Sequence, residues 1–158
     1  MPIAETASTL CETIVTIAAL KKANDQTKLS LLEDELSGAT QVIVDIYSRY
    51  LFESRFFEKR ETGALSVEEI KELMIQAQKD AYGDGLDHQY LHPYMWTWKP
   101  HYYYADCSFY NFPYAFGLLL AKGLYTIYQK EGSKFSNTYE KLLSLTGKMS
   151  LEDVCSSV

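Results

Sequence analysis

The sequence lacks the features that mark several classes of protein. Its basic residues form no cluster larger than the pairs Lys21-Lys22 and Lys59-Arg60, and its net charge is −6, whereas nucleic-acid binding needs a basic face. No apolar run approaches the ~20 residues of a membrane span, and Met-Pro-Ile-Ala-Glu does not open like a signal peptide. Three widely spaced cysteines form neither a disulfide framework nor a zinc knuckle. We therefore expect a cytoplasmic protein with reduced thiols and no nucleic-acid or membrane partner.

Strand signals and internal repeats are missing too, and helical periodicity dominates what remains. Apolar residues recur at three- and four-residue steps over much of the chain, which is typical of amphipathic helices. We predict helices over 3–23, 28–59, 66–81, 113–131 and 136–145, and the start of another at Ser150. Ser37-Gly38 predicts a bend in the second helix. The expected fold class is all-α, in a single segment spanning 1–158.

Two of these helices carry more specific signals. Ser66 and Glu69 have the spacing of a capping box, which predicts a helix N-terminus at Ser66. The second helix has an apolar stripe that we expect to face a core. Its members are Leu29, Leu32, Leu36, Ile43, Ile46, Tyr50 and Phe57.

Aromatic residues are abundant, and tyrosine above all. The chain has 13 tyrosines, concentrated between Tyr82 and Tyr128. Residues 82–109 hold no lasting periodicity but contain all three histidines and both tryptophans. We predict an ordered loop with short elements here, and loops rich in polar-tipped aromatics often line sites. Residues 82–104 are our candidate for gripping a peptide backbone.

Glu5 and Glu12 are seven residues apart, which places them two turns apart on one face of the predicted first helix. The residues between them are small or weakly polar, and small residues allow a metal or another helix to come close. One carboxylate could ligate zinc while the other orients a ligating His. The alternative is a pair of solvated glutamates on a surface helix.

The three histidines lie in the aromatic region. His88 and His92 have the i, i+4 spacing of a metal clamp, but no Glu follows His88. Pro93 also disfavours helix at His92. This favours loop histidines, in a position to touch a substrate, over a zinc pair.

A further cluster of polar aromatics occupies residues 100–117. His101 precedes Tyr110 by nine residues, and Tyr114 follows four residues later. Neutral phenols and a histidine are suitable donors to an oxyanion that forms beside a metal. The same run is also compatible with an aromatic core whose hydroxyls find partners.

Two segments resemble one known family. Ala4-Glu-Thr-Ala-Ser-Thr-Leu-Cys-Glu12 is similar to a signature of the oligoendopeptidase F and thimet oligopeptidase family. The resemblance implies that Glu5 is the third zinc ligand and that Glu12 supports the site. Phe109-Tyr-Asn-Phe-Pro-Tyr-Ala-Phe-Gly117 resembles the Tyr-rich C-terminal motif of that family. There a histidine and two tyrosines face the scissile carbonyl, which implies these roles for His101, Tyr110 and Tyr114.

The resemblance covers essentially the whole chain and predicts the helical C-terminal portion of a zincin-type metallopeptidase catalytic domain. Its function would be hydrolysis of short peptides with one zinc ion, and we expect His88, His92 and Tyr103 to contact substrate. The family's His-Glu-x-x-His motif is absent from this sequence. We therefore expect a chain cut upstream of residue 1, inactive alone, whose partner is the remainder of the parent peptidase.

A hypothesis of another class is a stand-alone helical interaction module. In it, the aromatic loop would bind peptide without metal and without catalysis. Such a module would melt cooperatively in isolation. The peptidase portion would instead leave an apolar face exposed where upstream helices belong.

Overall fold

The structure, a computed structural model, describes Ile3 and residues 5–157. These described residues are helical and contain no strand, which confirms the all-α prediction. No helix among them is long and apolar enough to cross a membrane. The α-helices are α1 (Thr6–Lys22), α2 (Asp25–Thr40), α3 (Ile46–Arg60), α4 (Val67–Tyr82), α5 (Phe112–Glu131), α6 (Phe135–Leu145) and α7 (Leu151–Ser156).

The chain forms two compact units. The first comprises the described residues up to Glu33 together with those from Pro113 onward, and the second comprises Asp34–Phe112. In the first unit, α1 contributes Leu10 to a core that α5, α6 and α7 complete. The buried members of this core are Leu10, Ala121, Leu124, Tyr125, Phe135, Leu142 and Val154.

Helices α2 and α3 run on without interruption through a π-helical segment, Gln41–Asp45. Ser37 and Gly38 are helical, and the bend predicted there remains a prediction; the π-helical segment begins three residues after Gly38. A π segment inserts one extra residue per turn and so shifts which face the following residues present.

This helix pair does not bury the predicted apolar stripe. Ile46 is buried, but α2 has no buried residue, and Leu29 and Leu36 are about two-thirds exposed at 68% and 70%. Ile43, Tyr50 and Phe57 are exposed as well. On α3 the buried face instead carries polar and charged side chains beside Phe52, as described below.

The second unit is built on the packing of α3 against α4. Its buried apolar core consists of Phe52, Leu73, Met74 and Ala77. Helix α4 begins with the predicted capping box: the Ser66 hydroxyl accepts from the Glu69 N–H, and the Ser66 N–H donates to the Glu69 carboxylate at 2.8 Å. These reciprocal bonds satisfy backbone donors that every helix start leaves open.

The aromatic loop between α4 and α5 is ordered by short 3₁₀ turns. They are Gly83–Gly85, His88–Tyr90, Met95–Trp98 and Pro100–Tyr103. Several contacts hold the loop against the helices of the second unit, and two of them lie in its middle. Gln78 on α4 is buried and exchanges two hydrogen bonds with the backbone of His92. The Tyr102 ring packs edge-on against Phe52, with 5.2 Å between ring centroids.

Candidate functional site

Glu5 is the residue from which α1 starts. Its backbone carbonyl accepts from the Thr9 N–H and from the hydroxyls of Ser8 and Thr9, at 3.0 Å and 2.8 Å for the two hydroxyls. The small hydroxyl residues of the first family-like segment therefore fix the backbone at Glu5, which leaves its half-buried side chain free of any capping role. Ala4, which opens that segment, lies outside the described residues.

Helix α5 approaches the backbone at Glu5 through Gly117. A Cβ atom at Gly117 would lie 3.1 Å from the Glu5 Cβ and 3.3 Å from the Thr6 N, so only glycine fits without a local shift. Tyr114 precedes Gly117 by one helical turn and therefore lies on the same side of α5. The first unit thus brings the predicted zinc ligand against the helix that carries one of the predicted tyrosines.

Glu12 lies two turns further along α1 and is exposed. The residues of α1 that turn inward are Thr6, Leu10 and Thr13, so Glu12 sits at the edge of the buried face. Its predicted role beside a ligating histidine remains a prediction.

The second unit brings His101 and Tyr110 together. Their rings stack at 5.5 Å between centroids with an angle of 13° between the planes, although nine residues separate them in the sequence. Burial lowers the pKa of the His101 imidazole, and the nearby charges of Arg49 and Lys99 lower it further. His101 is therefore neutral near pH 7, with one ring nitrogen that donates and one that accepts.

His88, His92 and Tyr103, the predicted substrate residues, are exposed and engaged in local contacts of the loop. A His88 ring nitrogen lies 3.2 Å from the Gly83 carbonyl, and the His92 Nδ1 accepts from the Tyr94 N–H. The Tyr103 hydroxyl donates to the Trp96 carbonyl. These contacts shape the loop, and substrate binding by the three residues remains a prediction.

Sequence reasoning missed a cluster of charged side chains on the buried face of α3. Asp45, Arg49 and Glu53 are each less than a tenth exposed. Asp45 accepts from the Arg49 guanidinium and from the Tyr82 hydroxyl. Burial, assisted by the Asp45 carboxylate, raises the pKa of Tyr82 to about 12, so its phenol stays neutral. The sequence did contain a signal for this cluster. Asp45, Arg49 and Glu53 recur at steps of four, which places three charged side chains on one face of the helix.

Two of these charges reach the segment that contains Tyr110. Glu53 Oε1 accepts from the backbone N–H of Phe109 at 2.8 Å. Arg49 Nη1 donates to the side-chain oxygen of Asn111 at 3.4 Å. Tyr110 lies between these two attachment points.

Phe109 itself adopts a left-handed backbone conformation, with φ at 59°. For a side chain other than glycine this conformation costs about 1–2 kcal/mol. The Phe109 ring packs against Tyr50 and Phe57, each at 5.7 Å between centroids. Aromatic packing and the Glu53 hydrogen bond together hold a conformation that the isolated segment would avoid.

The chain matches no protein-family model, no curated protein and no solved structure. Within the part of the chain that the structure describes, no group of three or more His, Cys, Asp or Glu side chains could hold a metal ion. Any functional interpretation therefore depends on the two family-like segments and on the geometry around them.

The close approach at Gly117 predicts that replacement by alanine will affect stability differently at two glycines of α5, Gly117 and Gly123. Gly123→Ala should raise the unfolding free energy by about 1 kcal/mol, because alanine favours helix and a Cβ there meets nothing within 4 Å. Gly117→Ala should gain clearly less or lose stability, because its Cβ presses on the backbone at Glu5. Urea denaturation of the two variants measures the difference. Equal stabilisation by both would show that Glu5 does not lie against α5.

The buried Glu53 carboxyl predicts a specific dependence of stability on pH. Burial raises its pKa above the ordinary 4.5, although the Phe109 N–H opposes the shift. The folded chain therefore binds this proton more tightly than the unfolded chain. The contribution of the Glu53 carboxyl to the unfolding free energy therefore falls as pH rises from about 4.5 through the pKa of this group in the folded chain.

Glu53→Gln should remove this fall, whereas Glu58→Gln, at an exposed position of the same helix, should leave it in place. Urea denaturation of the three proteins between about pH 4 and pH 7 tests the prediction. Parallel curves for the wild type and Glu53→Gln would contradict it.

Proposed function

We propose that this chain supplies part of the active site of a zinc-dependent endopeptidase of the oligoendopeptidase F type, which hydrolyses short peptides. The observation that carries the proposal is the contact of Glu5 with Gly117. It joins the two family-like segments, residues 4–12 and 109–117, which are far apart in the sequence. A chance resemblance of either segment alone would not require them to meet.

The described residues fit one part of a catalytic zinc site. Such a site takes three protein ligands, and Glu5 offers one carboxylate. Two histidines and a catalytic Glu would come from a His-Glu-x-x-His segment, which this sequence does not contain. When bound, zinc polarises the scissile carbonyl and lowers the pKa of a water molecule.

The tyrosines and His101 would act on the carbonyl oxygen as it gains negative charge. Phenols donate a hydrogen bond without being consumed as acids, and neutral His101 can donate from one ring nitrogen. The stack of His101 on Tyr110 keeps both groups in one place, so a single bound peptide could meet both. Tyr114, on α5, would be the second phenol.

Peptide backbone would be held by the aromatic loop. Several of its large side chains are exposed, which is unusual unless a surface binds something. They are Tyr90, Tyr94, Trp98, Tyr103 and Tyr104. The same exposure supports the second candidate function, a helical module that binds peptide without catalysis. Peptide binding by the chain without metal, together with no cleavage when the chain is joined to a His-Glu-x-x-His-containing segment, would favour that second function.

The peptidase proposal predicts how tyrosine substitutions affect cleavage. The assay uses a fluorogenic peptide and a combined chain, in which this chain is joined to the His-Glu-x-x-His-containing segment of an oligoendopeptidase F-type enzyme. Tyr110→Phe or Tyr114→Phe should lower kcat about 10²–10³-fold, which is typical of removing one oxyanion donor, with little change in KM.

Tyr47→Phe is the matched control, because Tyr47 lies on α3, outside the aromatic loop, and its side chain is exposed at 49%. It should leave kcat unchanged. The absence of any peptide cleavage by the combined chain, or an equal effect of all three substitutions, would refute the proposal.

A further inference from the structure

Tyr110 is held through both of its sequence neighbours, and both attachments come from α3. The Phe109 N–H donates to Glu53 at 2.8 Å, and the Asn111 side chain accepts from Arg49. Arg49 and Glu53 are one turn apart on the same face of α3. The two contacts therefore act as a pair of fixed points on either side of a single residue.

These fixed points determine the direction of the Tyr110 side chain. Phe109 is in a left-handed conformation, which turns the chain sharply just before Tyr110. Because Phe109 directly precedes Tyr110, a change of φ at Phe109 would redirect the backbone at Tyr110 and so alter the stack of its ring on His101. The partly buried N–H of Phe109 has the Glu53 carboxylate as its acceptor, so the hydrogen bond supports the turn.

The cluster is poorly explained as a device for stability alone. Arg49 and Glu53 are 6% and 7% exposed, and buried charges can often be replaced by apolar residues without loss of stability. The Arg49 Nε is buried without a hydrogen-bond partner among the described residues, which adds a desolvation penalty. What the charges provide is directional attachment at Phe109 and Asn111.

We propose that Glu53 and Arg49 are positioning residues that fix Tyr110, and through it His101, in the geometry that donates to the substrate carbonyl. Neither side chain would touch the substrate itself. Glu53 acts through the Phe109 backbone and Arg49 through the Asn111 side chain. The catalytic part of this inference rests on the proposed peptidase function, but the positioning of the two rings does not.

The first test measures the ring contact by NMR in the 158-residue chain, with labelled histidine and tyrosine. The wild type should show a cross peak between the rings of His101 and Tyr110. Glu53→Ala should lose this cross peak, because the Phe109 N–H loses its acceptor. Glu53→Gln should keep it, because the amide oxygen still accepts.

Glu58→Ala is the control, since Glu58 is an exposed carboxylate on the same helix, and it should keep the cross peak. The inference is overturned if Glu53→Ala keeps the ring contact or if Glu53→Gln loses it as fully as Glu53→Ala does. Should Glu53→Ala fail to fold, Asn111→Ala decides, because it removes the other fixed point and leaves Glu53 in place. Loss of the cross peak in that folded variant supports the inference, and retention overturns it.

The second test separates positioning from the reaction. In the combined chain, Glu53→Ala should lower kcat at least tenfold with KM little changed, and Glu53→Gln should restore most of it. We expect the substitution to change kcat more than KM, because Glu53 does not contact substrate. If the wild type cleaves no peptide, the proposed function fails, while the NMR result still decides whether Glu53 positions the two rings.

Discussion

The hydrogen bond from the Phe109 N–H to the buried Glu53 carboxylate holds the aromatic loop at its C-terminal end, directly before Tyr110. It stabilises a backbone conformation that a phenylalanine otherwise avoids, and it does so from a helix whose own position is set by the core with α4. Tyr110, the residue directly after that turn, stacks on His101. A local strain is thus maintained by a rigid helix, which is the arrangement expected where side-chain geometry matters for function.

The first unit has a corresponding constraint at Gly117. The absence of a side chain there lets the start of α1 lie against α5, so Glu5 and the helix of Tyr114 are neighbours. The hydroxyls of Ser8 and Thr9 secure the backbone at Glu5. In each unit, therefore, a tyrosine-bearing segment is positioned by a contact that involves backbone rather than by side-chain packing alone.

Local structure could be predicted from the sequence where a local cause exists. The capping box at Ser66, the stop at Gly132 and the aperiodic loop all follow from short-range chemistry, and the structure has them. The prediction that the apolar stripe of the second helix faces a core was wrong. Leu29 and Leu36 are exposed, and the π segment changes the face that α3 presents. Periodicity shows which side of a helix is apolar, but not whether the described chain covers that side.

For the candidate site, too, some residues could be predicted from the sequence and their contacts could not. The tyrosines and Glu5 could be named from short segments, but the contact partners could not. Glu53 and Phe109 are far apart in sequence, and nothing local indicates that a glutamate within an aromatic helix accepts from a loop backbone. The pairing of His101 with Tyr110 likewise required the fold, because their spacing matches no helical or strand period.

The central claim is that Glu5 provides one zinc ligand of a site whose other ligands lie on a different segment. Elemental analysis after gel filtration in zinc-supplemented buffer tests it most directly. We expect less than about a tenth of an equivalent of zinc on this chain alone, since one carboxylate cannot replace three protein ligands. We expect about one equivalent when a His-Glu-x-x-His-containing segment of an oligoendopeptidase F-type enzyme is joined to it, and a large loss with Glu5→Gln. About one equivalent on the chain alone, or full zinc binding by Glu5→Gln in the joined protein, would contradict the account.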